Sequence, residues 1–170
     1  MTDKTIEELK SENEQLRILA FTDKLTGLHN LNYLEETIHS YINSHLPVSL
    51  LLLDIDNMKE LNSKIGYRAT DLRMKNLFVE IKDSIKERDG IFKIYGDEVV
   101  ISANVPLIQA IIIADRLLNI SRSHKLSISI GITTTYEIKD FPKLFNEANK
   151  ALLQAKAAGK GCYQIYEKGE

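Results

Sequence analysis

IFKIYGDEVVISA, residues 91–103, decides how the chain is laid out. Two runs of strand-forming residues, IFKIY and EVVISA, are split by Gly96 and Asp97. Such a pair suits a two-residue hairpin turn, because glycine supplies the positive φ that these turns need. The hairpin carries Asp97 and Glu98 at its tip. A common turn explains Gly-Asp by itself, so the acids gain further meaning only if distant parts of the chain bring charge to the same place.

Upstream, VSLLLLD at 48–54 is an apolar run of strand length after Pro47, and it reads as a buried central strand. Between it and the hairpin lie a short helix, from Asp56 through Leu61 to near Gly66, and a longer one with Met74, Leu77, Phe78, Ile81 and Ile85 at helical spacing. Before the central strand, Leu31, Leu34, Ile38 and Ile42 share one helical face after the cap candidate Asn30. After the hairpin, Pro106 opens a helix through QAIIIADRLLNI, and LSISIGIT at 126–133 reads as a strand. A last helix carries Leu144, Phe145, Ala148, Ala151, Leu152 and Ala155 and stops at Gly159, and CYQIY makes a final short strand.

The order predicts an α/β chain of the α+β kind with a ferredoxin-like βαββαβ core. The split βαβ rule seats the first strand centrally, the third strand antiparallel beside it, and helices on one face. The end of the first strand, with Asp54 and Asp56, then lies beside the start of the third, with Asp97 and Glu98. Carboxylates a few ångströms apart raise one another's pKa unless a cation neutralises them, so a cluster made by topology suits Mg²⁺. Mg²⁺ prefers one or two carboxylates plus water and phosphate oxygens, which implies a nucleoside triphosphate. The blander reading is a solvated acidic rim.

Residues 1–22 are expected to form a separate helix, with Ile6, Leu9, Leu16 and Ala20 at heptad spacing and Asn13 between them. It reads as a short coiled-coil stalk, in which Asn13 favours a parallel dimer, or else as a surface helix folded back on the domain. Residues 23–170 make one domain. The 22 basic and 24 acidic residues leave a formal charge of −2, which gives no field for a long nucleic acid. The lone Cys162 cannot form an internal disulfide, and the start MTDKTIEELK lacks an apolar signal region, which fits a reducing cytoplasm. The apolar runs fall short of the roughly twenty residues that span a bilayer.

Four segments, DKLTGLHN at 23–30, LLLLDIDNMKELNSKIG at 50–66, YGDEV at 95–99, and SISIGIT followed by ANKALLQAKAAGKG, together resemble the GGDEF domain, the diguanylate cyclase family. The resemblance implies a palm-type core that condenses two GTP into cyclic di-GMP with release of pyrophosphate. Each 3′-hydroxyl would attack the α-phosphorus held by the other protomer of an at least transient homodimer, with Mg²⁺ or Mn²⁺ as cofactor. By the same resemblance Asp54, the Ile55 carbonyl, Asp97 and Glu98 hold metal, and the three acids are the catalytic set. Asn62 and Asp71 correspond to the guanine readers, and Lys59, Lys156 and Lys160 to phosphate-neutralising positions, Lys160 standing where an arginine is usual.

The chain departs from the family pattern at several points. Tyr95 replaces the first signature glycine and Val99 the phenylalanine, Leu31 stands in place of an arginine, and GYRATD at 66–71 replaces GHxxGD. Tyr95 is expected to obstruct close approach of phosphate, with roughly 1–2 kcal/mol of strain if its position demands a positive φ. The product-feedback motif reads Lys86-Glu87-Arg88-Asp89, which predicts weakened feedback. Two outcomes are open: a working cyclase, or an inactive GGDEF-like module that binds GTP or a partner protein and signals through the stalk. A related palm nucleotidyltransferase with another product is disfavoured by the Asn62 and Asp71 pair.

Overall fold

The structure, a computed structural model, describes residues 5–43 and 45–167. Its strands are β1 (Val48–Ile55), β2 (Gly90–Lys93), β3 (Val99–Ala103), β4 (Ile128–Thr135) and β5 (Tyr163–Ile165). Its helices are α1 (Ile6–Phe21), α2 (Leu31–Asn43), α3 (Met58–Ile65), α4 (Tyr67–Ser84), α5 (Leu107–Ser123) and α6 (Phe141–Ala157). The sheet order is β2-β3-β1-β4-β5, with β1 central and antiparallel to both β3 and β4, and β5 added parallel to β4. This is the layout the βαββαβ order predicts.

All eight residues of β1 are buried, which explains why VSLLLLDI is apolar without alternation: both of its faces are covered. Leu51, Leu53 and Ile55 pack with Val99, Ile101, Ile128 and Ile130 under α4 and α5, the crossover helices. Leu50 and Leu52 point the other way, with Phe92 and Val100, under α2 and α6. Helices therefore cover both faces, where the sequence reading placed them on one. The difference arises because α2 precedes the βαββαβ unit and α6 follows it, and each has its own apolar stripe to bury, Leu34, Ile38 and Ile42 on α2 and Leu144, Ala148 and Leu152 on α6.

Local chemistry sets the element ends. Asn30 caps α2, its Oδ1 accepting from Tyr33 N at 3.2 Å. Gly66 ends α3 and begins α4, so a single residue with φ +84° hinges the two helices. On α1, Thr5 and Glu8 form a reciprocal capping box, and no residue of that helix is buried. Ile6, Leu9, Leu16 and Leu19 stay exposed, so α1 is not the helix folded back on the domain. Its last turn is anchored, Ala20 O accepting from Asn30 Nδ2 at 2.8 Å and Asn32 Nδ2 at 3.1 Å. Among the described residues no helix is long and apolar enough to cross a membrane.

Candidate functional site

The register of β1 against β3 pairs Leu53 with Val99, so the next residues outward, Asp54 and Glu98, meet at one edge of the sheet. Asp97 and Glu98 sit in the turn rather than in β3: Glu98 N donates to Tyr95 O at 2.6 Å and Ile94 N to Glu98 O at 3.0 Å. Gly96 alone in this turn has a positive φ, +47°. Tyr95 has an ordinary φ and 63% of its surface in solvent, so the feared backbone strain is absent and the hairpin is intact.

Asp54 is 9% exposed and lies on the α6 face, where Lys156 Nζ in the last turn of that helix approaches its Oδ1 at 2.9 Å. Burial, and next the charge of Asp54, push Asp97 up to about 6. Burial and Asp54 likewise raise Glu98, with Lys156 opposing both shifts. Three carboxylates thus share one field that a single ammonium only partly neutralises. Hard oxygen donors under mutual repulsion are the donor chemistry of a divalent cation site. Among the described residues no three acids converge closely enough to enclose a metal by themselves. A cation here would complete its shell with water or phosphate oxygens, as Mg²⁺ does. The Ile55 side chain is 2% exposed in the core, so only its carbonyl is available to such a shell.

The fourth acid of the sequence reading does not join. Asp56 accepts hydrogen bonds from Ser127 Oγ at 2.5 Å, Ser129 Oγ at 2.6 Å and Gly161 N at 3.0 Å. Its carboxylate ties the end of β1 to β4 and to the loop before β5, so its role is structural. The lysines also separate. Lys156 is at the acids, Lys59 is exposed in the first turn of α3, and Lys160 takes a left-handed φ of +67° and places Nζ 2.5 Å from Asn57 Oδ1.

Asn62 lies half-buried in α3 and Asp71 exposed in α4, on either side of the Gly66 hinge. Neither side chain caps a helix: Asn62 supplies only its backbone carbonyl to Gly66 N, and the N-cap of α4 is Gly66. Lys86 and Asp89 line a cavity of about 170 Å³ together with Arg116 of α5, a residue the sequence reading did not single out. Burial holds Asp89 above the usual carboxylate range, and its Oδ1 has no partner among the described residues.

A second tie went unread in the sequence. Asp23 accepts from Thr26 N and Oγ1, at 2.9 and 2.7 Å, and from Lys93 Nζ at 3.0 Å. Burial pushes Asp23 up, but the Thr26 and Lys93 contacts outweigh it and hold the acid below its ordinary value. The signal was present as Lys93, the one charge inside the apolar run IFKIY. Together with the bond from Lys93 N to His29 O, at 2.7 Å, this fastens the end of β2 to the turn after α1.

Comparison with known proteins agrees with this geometry. Residues 20–162 match the family model described as diguanylate cyclase, GGDEF domain. The chain is 31% identical over 162 residues to the diguanylate cyclase DgcS of Shewanella oneidensis, covering 89% of this chain and 55% of that protein. It is 32% identical over 159 residues to the response regulator PleD of Caulobacter vibrioides, covering 84% and 35%. It thus spans about half or less of the length of these relatives. The coiled coil and GGDEF domain of DgcB from Caulobacter crescentus, solved with c-di-GMP, superposes with a TM-score of 0.84 at 18% identity over 94% of this chain and 93% of that one, a likeness of fold. With the model matching most of the sequence and the acids standing where the sheet brings them together, the chain belongs to the GGDEF family.

Proposed function

We propose that the protein is a diguanylate cyclase, joining two GTP into cyclic di-GMP and releasing two pyrophosphates. The observation that carries this reading is the grouping of Asp54, Asp97 and Glu98 at one sheet edge with Lys156 beside them. Asp54, the Ile55 carbonyl, Asp97 and Glu98 would hold Mg²⁺ or Mn²⁺, which when bound supplies charge stabilisation for phosphoryl transfer. Lys156, with Lys59 and Lys160, would neutralise the triphosphate. One such edge binds one GTP, so two protomers must face each other, and the exposed apolar seam of α1 is suited to pairing them in a parallel coiled coil. The proposed setting is the cytoplasm.

Among the described residues the Asn62 and Asp71 side chains, on adjacent helices, have no hydrogen-bond or ion-pair partner, and a carboxylate acceptor matches the N1 and N2 donors of guanine. The Asp71→Ala protein is expected to lose about tenfold in GTP affinity with little change for ATP, because an unmet polar contact costs roughly 1–3 kcal/mol. Equal losses for the two nucleotides in a binding titration would remove the guanine assignment.

A second reading has Tyr95 in its favour: a bulky, exposed ring at the tip of the hairpin that carries two of the acids. On that reading the domain binds GTP or a partner protein without turnover and transmits a signal. Incubation of the purified chain with GTP and Mg²⁺ or Mn²⁺, followed by chromatography, separates the two. Cyclic di-GMP from the wild type is the expected result, with specific activity rising with protein concentration. Product only from Tyr95→Gly would mean that the ring silences the site, and GTP binding without product from either would support the module.

A further inference from the structure

Asp54 has a nearly buried side chain, 12% exposed, and among the described residues its charge is met by one ammonium, Lys156 Nζ at 2.9 Å. Lys156 itself is one-third exposed and extends from the last turn of α6, so it is held at one end only and has solvent to move into. The same ammonium is the nearby positive charge acting on both Asp97 and Glu98. A dication entering this edge meets a positive charge already seated on its principal carboxylate, and the two cannot share Asp54 without strong repulsion.

Resting on the cyclase reading, we propose that Lys156 is the resident counter-ion of the nucleotide-free site, competing with the metal for Asp54 until a polyphosphate draws the ammonium away. Metal and nucleotide then bind in a coupled manner. Nucleotide phosphates offer Lys156 a new partner and free Asp54, and metal on Asp54 in turn releases Lys156 to the phosphates, the two effects being equal by linkage. The device keeps the acid cluster partly neutralised, and closed to stray divalent ions, when no substrate is bound. Lys156 is in this respect a positioning residue acting through Asp54, in addition to the phosphate contact proposed for it.

The test uses Mn²⁺ alone, without nucleotide, at pH 8 so that the acids are ionised, with free Mn²⁺ followed by electron paramagnetic resonance. The Lys156→Gln chain is expected to bind Mn²⁺ about tenfold tighter than wild type, since the competing cation is gone. Lys156→Arg keeps the charge and is expected to bind like wild type. Lys143→Gln, an exposed position in the first turn of α6, makes the same change in net charge and is also expected to leave binding unchanged. Wild-type or weaker affinity in Lys156→Gln overturns the inference, as does equal tightening in Lys143→Gln, which would be an effect of net charge. Absence of Mn²⁺ binding in all four proteins would overturn the metal reading of the acids and this inference with it.

Discussion

The Asp54→Asn protein is expected to fold normally and, on the proposed cyclase reading, to make cyclic di-GMP about a thousandfold more slowly than wild type, the scale on which removal of one preorganised charge-stabilising group acts. Asp54 is the acid that faces Lys156, and it is the principal charge acting on both turn carboxylates. Loss of its charge has a second, independent readout. Asp97 stands at about 6 because of burial first and Asp54 second, so in Asp54→Asn its titration moves down toward the ordinary carboxylate range. Carboxyl carbon shifts followed by NMR across pH 3–8 would detect that movement. An Asp97 that still titrates near 6 in the variant would mean that burial alone holds it up.

The same shift fixes a sign for stability. Asp97 has a folded pKa above its unfolded value of 3.8, so between about pH 4 and 6 the folded chain binds more protons than the unfolded one. Its contribution therefore falls as pH rises through that window, the opposite of a carboxylate held low by a salt bridge. Asp54→Asn should flatten this slope, and denaturant melts at pH 4, 5, 6 and 7 would report it. The site gives up stability to keep acids together, as groups arranged for function commonly do.

Much of this was legible in the sequence because the strongest patterns are periodic. The apolar run VSLLLLD at 48–54, the split hairpin and the helical stripes of α4 and α5 required only spacing, and they fixed the antiparallel neighbours of Asp54. The covering of both faces is not legible in the βαββαβ order, which places the two crossover helices and is silent on α2 and α6. The juxtaposition of Asp54, Asp97 and Glu98 followed from topology, whereas Asp56 does not join them. Strand periodicity puts residues 54 and 56 on one face, but β1 ends at Ile55, and two serines of the β4 segment take the Asp56 carboxylate. Hydrogen bonds across 71 and 73 residues of chain have no signature in local spacing. The ion pair of Lys156 with Asp54 was out of reach for the same reason, since it depends on how α6 lies on the sheet.

How α6 lies on the sheet is governed by Gly131, and its replacement by alanine is expected to be the most damaging single-methyl change in the domain. A Cβ at that position in β4 would overlap the backbone of α6 at Ala148 O and Leu152 N and would stand 2.9 Å from Leu152 Cα. The facing residues of α6, Ala148, Ala151 and Ala155, are small and wholly buried, so the helix backbone rests almost directly on the strand. Because the obstructing atoms are backbone, no side-chain rotation relieves the overlap and the helix itself must move. The expected cost is about 3 kcal/mol or more, in the range of severe overpacking, and a melting temperature lower by about 10 °C for a domain of this size. Trimming the neighbour in Leu152→Ala should not rescue it, since Leu152 obstructs through N and Cα. Any shift of α6 also carries Lys156 off Asp54, so residual folded Gly131→Ala protein should resemble Lys156→Gln in its Mn²⁺ affinity. A Gly131→Ala chain that melts within a degree of wild type would mean that α6 sits farther from β4 than its contacts require, and the position of Lys156 would lose its structural explanation.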